Sequence, residues 1–155
     1  MPKLILMVGL PFSGKTTRAK ELEKEYSAIR FNKGEWQIKL FGDDAHDPEH
    51  KTRGEVISEI IFGLAYQLLE KGLTVILDFG FWSLSERKWF KDKTEGLGYS
   101  FALCSCKCPD GELEERMEKR NKECAKNGSF VIPLPMYQDF VKVFEEPTAD
   151  EGEFI

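Results

Sequence analysis

Between Gly9 and Thr17 the sequence reads GLPFSGKTT, directly behind the apolar run Leu4 to Val8. Residue types at this spacing suit one task, the wrapping of a phosphate group. Gly9 and Gly14 lack a β-carbon, so the intervening backbone of Leu10, Pro11, Phe12 and Ser13 can close on an anion and aim several N–H groups at it. A helix starting near Gly14 adds its positive N-terminal end. Lys15 is placed to reach the outer phosphates, the Thr16 hydroxyl to ligate Mg²⁺, and Thr17 to touch the innermost phosphate.

Two further segments carry chemistry. In VILD, Asp78 is expected to end a buried strand, where a carboxylate can hold a magnesium shell opposite Thr16. In EERMEKRN, Arg116 and Arg120 are four residues apart and so share one helical face, with Glu112 and Glu115 close enough to pair with them. His46 and His50 fall in the acidic stretch DDAHDPEH, which reads as a solvated loop flanking the site. Trp36, Phe81, Trp82 and Trp89 read as core residues at helical spacing or strand ends, with the first three also falling near the carboxyl edge where an acceptor would bind.

The elements that position these residues follow from periodicity. KLILMV is an unbroken apolar run, as in a strand buried on both faces of a parallel sheet, and Lys15 to Glu25 favours helix. AIRF is a second strand and KGEWQIKLFG a short helix ended by Gly42. From Thr52 to Lys71, Val56, Ile57, Ile60, Ile61, Leu64, Leu68 and Leu69 recur at helical spacing, which predicts one buried face and a stop at Gly72. LTVILD is a further strand, and Ser83 or Ser85 caps a helix through SERKWFKDKTEG. YSFALCSC is the next strand. Pro109 and Asp110 open the helix GELEERMEKRNKECAK, and NGSFVIPLP breaks it. The last helix is PMYQDFVKVFEE, with Tyr137, Phe140, Val141 and Phe144 on its apolar side. A fifth strand would come from the terminal EFI. Strands alternating with helices predict βαβ units and a right-handed parallel α/β sheet.

The 155 residues suit one domain, residues 1–155, with a single core. A net charge of −5 gives no general attraction for nucleic acid or anionic membrane. The first apolar run is too short for a leader, and no stretch is long and apolar enough to span a bilayer, so a cytoplasmic location is expected. Three of the four cysteines, Cys104, Cys106 and Cys108, fall in CSCKC. They read as reduced thiols at a strand end, with a soft-metal trio as the other possibility. The acidic tail EEPTADEGEF is the one segment where disorder is expected.

Taken together, GLPFSGKTT, GEWQIKLFG, LDFGFWSLSER, ERMEKRN and FEEPTADE resemble the small P-loop kinase-like ATP-binding proteins, which include zeta toxins, chloramphenicol phosphotransferase and the kinase domain of polynucleotide kinase. The resemblance runs over nearly the whole chain. It implies a P-loop three-layer α/β/α fold with a parallel sheet of about five strands in the order 2-3-1-4-5. It also implies a mobile lid over about residues 116–133. ATP and Mg²⁺ are the implied ligands, with Lys15 and Thr16 on phosphate and metal, Asp78 on the metal, and Arg116 and Arg120 on the lid. Arg87 resembles an arginine facing the acceptor.

The family's acceptor-activating aspartate, one residue before the Glu-Trp pair, is Gly34 here. The resemblance therefore leaves Glu35, or an acid of DDAHD such as Asp43 or Asp44, to take a proton from the acceptor. The function expected is transfer of the γ-phosphoryl group of ATP to a hydroxyl of a small-molecule or nucleotide-like acceptor. A nucleotide sensor that lacks transfer is the alternative favoured by Gly34. A slow NTPase ranks below it, because DFG follows the strand where an efficient hydrolase would carry a second acid.

Overall fold

A computed structural model describes residues 1–127 and 129–155. Its strands are β1 (Lys3–Val8), β2 (Ile29–Phe31), β3 (Val75–Gly80), β4 (Ser100–Ser105) and β5 (Glu153–Phe154). All pair in parallel, in the order β2-β3-β1-β4-β5. The helices are α1 (Lys15–Glu25), α2 (Lys33–Phe41), α3 (His50–Glu70), α4 (Leu84–Gly96), α5 (Leu113–Asn127) and α6 (Leu134–Val143). The lid expected over 116–133 includes residue 128, which lies outside the described residues.

Alternation along β1 divides the core between two faces. Leu4, Leu6 and Val8 join Val75, Leu77 and Leu103 under α3 and α4, where Ile57, Ile61 and Phe90 close the layer. Ile5 and Met7 point the other way, with Ile76, Ala102 and Cys104 against Ala19 and Leu22 of α1. Each fully buried Leu or Ile contributes roughly 1.5–3 kcal/mol, which suits the unbroken apolar run Leu4 to Val8 behind Lys3. The chain leaves β1 toward one edge of the sheet and crosses to the other only after β3. The loops after β1 and β3 thus meet at a crevice beyond the strand ends, where α/β sheets bind ligands.

Several expectations are corrected. Asp78 does not end its strand, since β3 continues through Phe79 and Gly80. The buried face of α3 is Gly54, Ile57, Ile61, Ala65 and Leu69, whereas Val56 and Ile60 are about half exposed. The i, i+4 row beginning at Ile57 fits the sheet, and the residues beside it turn away. That helix also begins earlier, at His50, and α5 begins later, at Leu113. On α6, Val141 is exposed while Tyr137 is buried. Cys104 is buried at the end of β4, and Cys106 and Cys108 follow it half-buried.

The acidic tail is ordered, because its carboxylates have partners. Arg87, 1% exposed, gives Nε and Nη2 to Glu151 at 2.6 and 3.0 Å, and Nη1 to the Phe81 carbonyl at 2.9 Å. Thr148 and Glu151 form a reciprocal capping box around a single 3-10 turn. Beyond it Glu153 pairs with Lys3 at 2.7 Å, and the Ile155 N–H donates to the Leu103 carbonyl at 3.0 Å as β5 joins the sheet.

Glu151→Ala should therefore destabilise the fold by about 3–5 kcal/mol in urea unfolding, since it leaves a buried guanidinium unpaired. Burial raises the Glu151 carboxyl, but bonds from Arg87 and the Thr148 N–H outweigh it and hold the group below its ordinary 4.5. The pair's contribution is thus present above about pH 4.5 and is lost as pH falls through the lower folded-state value. A loss well under about 1 kcal/mol, the scale of a solvent-exposed pair, would show that the tail does not clamp α4.

Candidate functional site

The loop after β1 is held from behind. A β-carbon on Gly9 would lie 2.5 Å from the Cys106 carbonyl oxygen, so only glycine lets the loop pass this close to the exit of β4. The Gly9 N–H donates to the Gly80 carbonyl at 3.0 Å, and its own carbonyl accepts from Trp82 Nε1 at 3.0 Å. Phe12 adopts a φ of +66° and Gly14 one of +87°, which turns the chain sharply into α1. Lys15 curls back and donates to the Leu10 carbonyl at 3.1 Å. Ser13 is buried, and its hydroxyl has no hydrogen-bond partner among the described residues.

Asp78 sits opposite, 3% exposed, and its Oδ2 collects three donors: Thr16 Oγ1 at 2.9 Å, Asn32 Nδ2 at 3.0 Å and Arg30 Nη1 at 3.3 Å. Its Oδ1 is buried without a partner. A buried carboxylate oxygen without a donor is costly unless something absent from the protein itself satisfies it. With the Thr16 hydroxyl beside it, this set of hard oxygens fits Mg²⁺, which binds through one or two protein groups and retains water and phosphate ligands.

Arg30 and Asn32 are functional-site residues that the motif reading passed over. The signal that could have found them is topological, since they lie at the carboxyl end of β2, beside β3. Asn32 also caps α2, accepting from the Glu35 N–H at 2.9 Å.

Helix α5 packs against the loop. Arg116 Nη1 donates to the Phe12 carbonyl at 3.0 Å while its Nε holds Glu112 at 3.0 Å. The Arg120 guanidinium lies 5.1 Å from the Phe12 ring centroid, over a ring that also packs on Tyr137. Burial lowers the proton affinity of Lys15, and Arg120 lowers it further, against opposing attraction from Asp78 and Cys106. Burial likewise lowers that of Arg120. Two partly desolvated cations, one of which disfavours the other, suit a multiply charged anion.

These groups line a cavity of about 1260 Å³ that also takes in Thr17, Lys20, Lys119, Asn32, Gly34, Glu35, Phe62, Phe79, Trp82, Glu86 and Phe130. Gly9, Leu10 and Ser13 form its backing, not its lining. Glu35 opens onto it, but both carboxylate oxygens accept from Arg30 Nη2, at 3.2 and 3.1 Å. Trp82 faces it with the indole against Phe140, ring centroids 4.7 Å apart. Phe81, in contrast, is 3% exposed and packs in the core.

Neither Arg87 nor Asp44 joins the site. Arg87 is sealed beneath Phe81 by Glu151 and does not face an acceptor. Asp44 is buried and bonded by His50, Arg53 and Gln37. Burial would raise its carboxyl, yet these bonds hold it at about 2, which makes it a poor proton acceptor.

The doubly wound sheet and its glycine loop define a P-loop nucleotide-binding domain of the kinase-like type. The model of the AAA domain family matches residues 4–147, and the chain belongs to that family. A protein of Chloroflexus aurantiacus whose kinase assignment is provisional is similar at 18% identity and TM-score 0.75, over 99% of this chain and 83% of the other. Kti12 of Chaetomium thermophilum, solved with ADP-AlF3, is similar at 16% identity and TM-score 0.68, over 98% and 88%. A chain of the Pnkp1/Rnl/Hen1 RNA repair complex is 27% identical with TM-score 0.66, over 91% of this chain but 43% of its own length. No curated protein matches. Among the described residues no helix is long and apolar enough to cross a membrane.

Asn32→Ala removes both the α2 cap and one donor to Asp78. Loss of the cap alone should cost about 1–2 kcal/mol in urea unfolding. An unchanged midpoint would mean that the Asn32 bonds contribute nothing net.

Proposed function

We propose that the protein transfers the γ-phosphoryl group of ATP to a hydroxyl of a small-molecule or nucleotide-like acceptor. The observation that carries this reading is the convergence of Lys15, Arg116 and Arg120 on the loop opposite the unpartnered Asp78 oxygen, at one end of a cavity that extends well past it. A triphosphate would occupy the cationic end, and the aromatic end under Phe79, Trp82 and Phe130 would hold the acceptor. The kinase-like neighbours support the same reading, among them a sugar kinase of Janibacter sp. at 14% identity and TM-score 0.66, covering 100% of this chain and 84% of the other.

In this arrangement the loop N–H groups and Lys15 bind the β- and γ-phosphates. Arg116 and Arg120 follow the charge that spreads over the transferring group, and closure of α5 excludes water. Thr16 and Asp78 would hold Mg²⁺, which when bound supplies charge neutralisation between the two outer phosphates. Arg30 and Asn32 hold the Asp78 carboxylate by Oδ2, which leaves Oδ1 for the metal. Since such transfer needs positioning and charge more than covalent chemistry, these groups suffice for the phosphate side.

A second reading, a nucleotide sensor without transfer, draws on Gly34, which offers no carboxylate to the cavity. One assay separates the two. ADP release would be followed with an aminoglycoside, a nucleoside, a nucleotide sugar and a 5′-hydroxyl oligonucleotide, in the wild type and in Lys15→Ala. Transfer predicts acceptor-stimulated release that falls about 10²-fold or more in the variant. ATP binding with no stimulation by any acceptor would support the sensor, and equal ATP affinity in Lys15→Ala would contradict the loop's role altogether.

A further inference from the structure

Six carboxylates line the cavity: Glu35, Glu55, Glu59, Asp78, Glu86 and Glu123. Most are committed elsewhere. Asp78 is bound by three donors, and Glu35 by Arg30. Glu123 belongs to α5, on the cationic side. Glu55 and Glu59 sit on the exposed wall of α3, with Lys51 3.9 Å from Glu55.

Glu86 is exposed as they are but differs in position and in company. It stands in the first turn of α4, just past the β3 strand that carries Asp78. Among the described residues its carboxylate has neither a hydrogen bond nor an ion pair. Across the end of β3, Lys33 opens α2 and extends its ammonium over the Phe79 ring, 5.8 Å from the centroid, also without an ion-pair partner among the described residues. Lys33 and Glu86 therefore attract each other without being joined, and both line the cavity together with Phe79.

We propose that Glu86 is the group that takes the proton from the acceptor hydroxyl, with Lys33 holding the acceptor from the opposite side. The proposal rests on the phosphotransferase reading. In the step, the acceptor O–H proton passes to the Glu86 carboxylate and the freed oxygen pair forms the new bond to the γ-phosphorus. The bond from that phosphorus to the bridging oxygen breaks, and ADP leaves with its electrons.

The surroundings suit the role. Glu86 is accessible from the cavity, yet the protein around it desolvates the carboxyl and raises it above its ordinary 4.5, with Lys33 and Arg87 pulling the other way. A raised carboxylate is a stronger base near neutral pH. The charged groups that face it are Lys33 from α2, Glu55 from α3 by way of Lys33, Arg87 on its own helix, and Glu145, whose carboxylate accepts from the Leu84 N–H at 3.3 Å. Arg87 has its guanidinium spent on Glu151, so it is not available to lock Glu86 as Arg30 locks Glu35.

The test uses the full chain and radiolabelled ATP with the four acceptors above. Wild type, Glu86→Gln, Glu86→Asp, Glu35→Gln and the double variant Glu86→Gln/Gly34→Asp would be compared, with ATP affinity and circular dichroism as checks on folding. Glu86→Gln should lower kcat by about 10²- to 10⁴-fold with ATP affinity retained. It should also abolish the acid limb of the kcat profile, which a merely structural role would not do. Glu86→Asp should keep part of the rate, and an aspartate at Gly34 should restore part of it. Glu86→Gln within about twofold of wild type, or a rate lost in Glu35→Gln instead, would overturn the assignment while leaving phosphotransfer intact. A wild type inactive on every acceptor would overturn both.

Discussion

A single buried carboxylate organises this end of the molecule. Asp78 lies inside the sheet, two residues short of the strand end, where an unpaired charge would be prohibitively costly. The protein meets that cost by drawing Arg30 from β2, Asn32 from the cap of α2 and Thr16 from the first turn of α1 onto one oxygen. Each donor then has a second consequence. Arg30 fixes Glu35, Asn32 starts α2, and Thr16 sets the first turn of α1. Only Oδ1 is left unserved among the described residues.

The rest of the site is built around that arrangement by packing. Trp82 ties the turn after β3 to the Gly9 carbonyl and to Phe140 of α6, so both strand-end loops share one aromatic contact. Phe12, buried at a positive φ, lies between Arg120 and Tyr137 and brings α5 over the loop. The acidic tail locks α4 through Arg87 and Glu151. The first turn of α4, with Glu86 in it, is thereby held against the cavity by a buried ion pair on its far side.

Much of this was legible in the chain. The apolar runs of β1, β3 and β4 announce strands buried on both faces, and GLPFSGKTT with Asp78 specifies what the crevice holds. Periodicity could not tell which of Val56, Ile57, Ile60 and Ile61 meets the sheet, because the winning row is set by the sheet's shape. Arg87 illustrates a sharper limit. In sequence it resembles an arginine that faces an acceptor, but its partner is 64 residues away in a tail whose composition reads as disorder. Long-range ion pairs of this kind leave no local signal. The same holds for Arg30 and Asn32, whose role depends on β2 lying against β3.

The central claim is that Asp78 presents its free oxygen to a metal-bound triphosphate. Calorimetric titration of ATP with and without Mg²⁺, in wild type and Asp78→Asn, tests it directly. The account predicts that Mg²⁺ strengthens ATP binding in the wild type and that most of this gain disappears in Asp78→Asn, with the metal-free affinity retained or improved. An equal Mg²⁺-dependent gain in both proteins would contradict it and leave Asp78 as a purely structural hub.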